Sequence, residues 1–151
     1  MSDDFEYKDK GLEAILKAIK DPPKVKVGIL GDKNQREGDN GNAEIGRRHE
    51  FGIGVPMRSF LRMPLNEKFQ EYLNEAEPLS EDELKQVIAT KSLTPLLKKM
   101  GIIGETVISD AFKTGGFGNW KKSNFKFKKV HQTLVETQQL RDSITSKVDE
   151  K

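Results

Sequence analysis

His49-Glu50 has the residue types that open a zinc-peptidase helix, where the histidine ligates the metal and the glutamate serves as general base. That chemistry needs a second histidine four residues on, and Ile53 stands there. The only other histidine, His131, supplies too little for a metal centre unless carboxylates complete it. His49 therefore reads as a structural histidine. "GILGDK", from Gly28 to Lys33, lacks the spacing and the Ser or Thr of a phosphate-cradling loop and reads as a strand end. "DKNQREG", from Asp32 to Gly38, starts like a calcium loop, but Arg36 occupies a ligand position and the glycine falls one residue late. No serine sits in a nucleophile elbow. The absence of cysteine excludes a thiolate nucleophile, a disulfide framework and a cysteine zinc site. The expectation is a chain with no catalytic residue, no metal and no cofactor.

Two groupings remain. In "HEFGIGVPMRSFLRMPL", residues 49–65, Glu50 and Phe51 would close a short helix, Gly52 would permit a turn, and Pro56 would lead toward the next helix. Phe60 and Leu61 can hold such a corner with Phe51, while Arg58 and Arg62 can bond carbonyls or carboxylates. Aromatic and arginine side chains are also favoured at interfaces, so the corner, read first as structural, is in addition a candidate subunit contact. The second grouping lies between Asp110 and Glu136, where six lysines and no acidic residue occur. Phe117, Trp120, Phe125 and Phe127 are interleaved among them. Trp120, Lys121, Lys122, Lys126 and Lys128 are the residues a single-strand-binding groove would use, charges for phosphates and rings for stacking. The competing reading makes the aromatics core or interface anchors, with "FKFK" alternating as a strand and the lysines solvated.

The elements that must position these groups follow from periodicity. Leu12, Ile15, Leu16 and Ile19 fall at helical spacing, and Asp21-Pro22-Pro23 ends that helix. Val25, Val27 and Ile29 alternate with lysines as a half-buried strand. Residues 31–42 carry almost no apolar group and read as a long flexible loop. Asn42 would cap a short helix with Ala43 and Ile45 turned inward. Leu65, Phe69, Tyr72 and Ala76 mark a helix starting at Pro64. Ser80 with Glu83 is a capping-box pattern, and Thr94-Pro95 opens the main core helix bearing Leu96, Leu97, Met100, Ile103, Val107, Ile108 and Ala111. "TGGFGN" breaks it, and Ile144 and Val148 alternate in a final strand. The fold class is α+β, one domain over residues 1–151, with a small, mostly antiparallel sheet packed against several helices. Residues 149–151 read as a disordered tail.

Composition bounds the partners. With 33% charged residues and a net charge of only +2, a surface that is wholly an anion trap is excluded, and DNA contact would be local and secondary. No apolar run approaches the length needed to span a bilayer, and the polar start of the chain has no apolar signal core, so no membrane partner is expected.

The order of several segments resembles the tail-completion or tail-terminator-like proteins of long-tailed bacteriophages. The segments are Val25 to Leu30, Ala43 to Gly52, Pro56 to Leu61, Trp120, and the Leu-x-x-Thr-x-x-Leu-Arg-x-Ser-Ile run from Leu134 to Ile144. They span most of the chain. Ser59 stands where a second proline is common in that family, and Gln138 where glycine is usual. The resemblance implies a virion protein at the head–tail junction or tail end, assembled in the host cytoplasm. It implies a ring, commonly of six copies, whose partners are itself, the tail-tube protein and the head connector or neck proteins. The loop residues Asp32, Lys33, Asn34, Gln35, Arg36 and Glu37 are then candidates for a segment that orders on assembly.

Overall fold

The computed structural model describes residues 10–35, 40–121 and 138–149. Among these are six helices and a two-stranded sheet: α1 (Lys10–Lys20), β1 (Lys24–Ile29), α2 (Asn42–Phe51), α3 (Arg62–Glu75), α4 (Glu81–Thr90), α5 (Thr94–Thr114), α6 (Gln138–Asp142) and β2 (Ile144–Asp149). The fold is α+β.

β1 and β2 pair antiparallel, with Val25 opposite Val148, Val27 opposite Ser146 and Ile29 opposite Ile144. These residues form the face that lies on α5, while Lys24, Lys26, Lys147 and Asp149 occupy the other, as the two-residue period requires. α5 can lie this close because glycine occupies its sheet-facing positions. A Cβ on Gly101 would sit 2.6 Å from Ser146 Oγ, and one on Gly104 3.0 Å from Val27 Cγ2. α3 and α4 also pack on α5, with Leu65 of α3 reaching the same Gly104 position that meets Val27. Phe60, Ile108, Phe112 and Leu140 form the fully buried centre, with Val27, Ile29, Ile45, Leu61, Leu65, Trp120 and Ile144 packed around it. Helix ends follow their sequence signals: Ser80 and Glu83 make both bonds of the capping box, and Gly115 ends α5 at φ 67°.

Four expectations need correction. Residues 31–42 are not one unstructured loop: Gly31–Asn34 form a 3-10 turn, tied to α2 by Asn42 Nδ2 donating to the Lys33 and Gln35 carbonyls at 2.9 and 3.1 Å. Asn42 is inside α2 rather than its cap, and the buried face is Asn42, Gly46 and Glu50, with Ala43 exposed. The reason is Gly46, where a Cβ would lie 3.0 Å from Ile29 and 3.1 Å from Phe60, so the helix rests there on its glycine. α3 starts at Arg62, two residues before Pro64, because its first amide hydrogens find acceptors outside the helix. Asp149, placed by sequence in a disordered tail, is the last residue of β2, opposite Lys24.

Candidate functional site

The segment from His49 to Arg62 folds as a corner between α2 and α3, organised by one carboxylate. Glu50, only 4% exposed, points from the end of α2 into the start of α3. Its Oε2 accepts from the Phe60 and Leu61 amides at 2.9 and 3.0 Å. Its Oε1 accepts from the Arg62 amide at 3.1 Å and the Ser59 hydroxyl at 2.6 Å. The Met63 amide donates to Ser59 Oγ at 3.0 Å, Pro64 has no amide hydrogen, and the Leu65 amide closes the first helical bond onto Leu61. Every donor at the beginning of α3 is thus satisfied. A buried carboxylate is stable here because it accepts charge-assisted bonds at the positive end of a helix dipole.

Local backbone chemistry brings Glu50 to this place. Gly52 adopts φ 70°, and a Cβ there would fall 3.0 Å from Met57 Cβ. That close return lets the Arg58 amide donate to the His49 carbonyl at 2.7 Å, fastening the far side of the turn to α2. The Arg58 side chain is buried, and loss of hydration lowers its guanidinium pKa from the usual value. Its terminal nitrogen reaches the Lys121 carbonyl at 3.4 Å. Phe60 enters the core against Phe112, with ring centroids 5.2 Å apart. Phe51 stays 58% exposed, with the Arg62 guanidinium 5.8 Å above its ring. Beside it lies an open cleft of about 340 Å³, lined by Ile29, Gly46, Phe51, Phe60 and Leu61 and rimmed by Arg47 and Arg62. Pro56 is exposed on the outside of the turn.

The basic aromatic stretch meets the corner at Trp120. Its indole Nε1 donates to the Ser59 carbonyl at 2.9 Å, and its ring stands edge-on to Phe112 at 5.6 Å. Gly116 has no room for a Cβ against the indole. Phe117 packs edge-to-face with Tyr72 at 6.4 Å. Both described aromatics of the stretch therefore turn toward the protein. Lys121 is exposed, Lys113 bonds Asp110 at 2.9 Å, and Lys122, Lys126 and Lys128 lie outside the described residues, as do Phe125, Phe127 and His131.

The assembly-loop residues Asp32, Lys33, Asn34 and Gln35 are exposed at the base of the 31–42 segment; Arg36 and Glu37 lie outside the described residues. Asn34 also has a role that sequence reading missed, since its Oδ1 accepts from the Ala43 amide at 2.7 Å and so caps α2 from outside. Gly41 makes this possible, as a Cβ there would lie 2.6 Å from the same oxygen. Ser59 was missed too, because it lies outside the cap position of α3 and the acceptor its hydroxyl serves, Glu50, lies in another helix.

Among the described residues no three His, Asp or Glu side chains converge on a metal position, and no helix is long and apolar enough to cross a membrane. The chain matches no protein-family model, no curated protein and no solved structure.

Proposed function

We infer that the chain is a structural component of the virion of a long-tailed bacteriophage, acting in tail completion or termination at the junction of head and tail as a ring subunit. The observation that carries an assembly role is the placement of large apolar side chains in solvent on separate elements. Leu12, Leu16 and Ile19 are exposed on α1, Phe51, Ile53 and Met57 at the corner, and Leu84 and Ile88 on α4. A subunit with neighbours on several sides needs apolar surface on each of them. The most reactive-looking residue, Glu50, has its oxygens occupied by backbone and hydroxyl donors, in keeping with a role as scaffold. The specific role comes from the ordered resemblance of the 25–30, 43–52, 56–61, 120 and 134–144 segments to tail-completion proteins.

In the alternative, a nucleic-acid-binding module built on residues 113–129, Trp120 would meet a base while held by Phe112 and the Ser59 carbonyl, half-buried rather than free. Electron microscopy of particles from a phage with this gene disrupted tests the virion role. DNA-filled heads beside separate or abnormal-length tails are expected, and complete infectious virions would overturn it.

A further inference from the structure

α1 and α4 present two apolar rows of complementary charge that do not cover one another. On α1, Leu12, Leu16 and Ile19 recur at helical spacing and are 54%, 47% and 57% exposed, although periodicity alone would turn them inward. The helix instead turns Ala14 and Ala18 toward the 91–94 turn across an open cleft, leaving the leucines and Ile19 in solvent. On α4, Leu84 and Ile88 lie one turn apart at 47% and 63% exposure. Lys17 and Lys20 close the C-terminal end of α1, while Glu81 and Asp82, with side chains 83% and 93% exposed, open the N-terminal end of α4.

We propose that α1 of one copy packs antiparallel on α4 of the next, Ile19 and Leu16 against Leu84 and Ile88, with Lys20 beside Glu81 and Asp82. The arrangement aligns opposite charges at one end of the contact and opposes the two helix dipoles. Leu16 and Ile19 are about one turn apart, roughly 5 Å, and Leu84 and Ile88 about one turn, roughly 6 Å, so the paired segments match in length, with Leu12 lying beyond them. Because the two surfaces are unlike, the contact is head-to-tail: each copy offers α1 to one neighbour and α4 to the other, the connectivity that closes into a ring. The inference rests on the ring reading and specifies its interface.

The test is sedimentation of the full chain over a wide concentration range. Wild-type protein should form an oligomer, and Leu16→Glu and Ile88→Glu, both at exposed positions and checked for native circular dichroism, should each weaken association about tenfold or more. A mixture of the two variants should stop at a heterodimer, since one intact α1 and one intact α4 remain. Lys20→Glu and Glu81→Lys should each weaken assembly and, combined in one chain, restore it. A wild-type oligomer that survives both apolar variants overturns this interface and leaves the ring reading standing. A wild-type chain that is monomeric at every concentration overturns both.

Discussion

Ser59 donates its hydroxyl to Glu50 at 2.6 Å while its own carbonyl receives the Trp120 indole at 2.9 Å. One residue thereby joins the end of α2, the start of α3 and the segment that follows α5. The corner is a three-way junction organised by the shared acceptor, Glu50.

Glu50→Ala should cost roughly 3–5 kcal/mol, because it strands the Phe60, Leu61 and Arg62 amides at about 1–3 kcal/mol for each buried donor left unpaired, less what entering water recovers. Urea unfolding should show a lower midpoint at unchanged slope. Glu50→Gln keeps one acceptor oxygen and should fall between. A midpoint equal to wild type would mean the carboxylate does not cap α3.

Trp120→Phe keeps a ring against Phe112 but drops the bond to Ser59, an expected loss of about 1 kcal/mol. Trp120→Ala should cost about 3–5 kcal/mol, as large aromatic deletions do. Oligonucleotide titration of the wild-type chain should show no tight, salt-sensitive binding; strong binding that Trp120→Ala abolishes without loss of stability would revive the nucleic-acid reading.

Gly101→Ala sets two effects against each other. Alanine gains up to about 1 kcal/mol in helix propensity. Its Cβ, however, would lie 2.8 Å from Ser146 Cβ, which rotation of the serine cannot relieve. Overpacking of this kind costs about 1–3 kcal/mol, so net destabilisation is expected. Ser146→Gly in the same chain should recover part of it, and strictly additive effects would show that α5 and β2 do not meet there.

Stability should fall at both pH extremes through one pair, Tyr72 donating to Asp110 at 2.9 Å. The Lys113 bond, assisted by Tyr72, holds the Asp110 carboxyl below its ordinary 3.8. The unfolded chain therefore takes up this proton first, and the contribution, present above 3.8, is lost as pH falls through the lower folded value. Burial and the neighbouring carboxylate raise the Tyr72 hydroxyl from 10.0 to about 12, so its contribution is present below 10.0 and lost as pH rises toward 12. Melting temperature against pH for wild type and Tyr72→Phe should differ most at intermediate pH and converge at both ends.

Much of the fold was legible wherever a local rule acts alone. β1 and β2 follow from alternation, α4 from its capping box and the end of α5 from its glycines. What sequence could not supply was partnership at a distance. Asn34 caps α2 and Glu50 caps α3, and neither belongs to the helix it serves. The start of α3 was therefore misplaced to Pro64, the strongest local signal. The corner was recognisable from Gly52, Pro56 and the aromatics. Its centre was not, because a glutamate at a helix end ordinarily faces water, and only the fold shows this one buried. On α5, the glycines that admit the sheet were passed over for larger residues around them, since hydrophobicity measures what a side chain can bury and not what its absence allows to approach.

Ile29 finds Ile144 across nearly the whole described length of the chain, and this sets the order of events during synthesis. Before the segment beyond α5 has been made, β1 can rest on α5 and α2, but the edge that β2 fills is still open. High sequence separation makes such a pairing slow to form, and an unfilled edge invites a strand from any nearby nascent chain. Closure of the sheet thus has to wait for β2, and polysomes translating this message at high density are where exchanged β2 strands would arise.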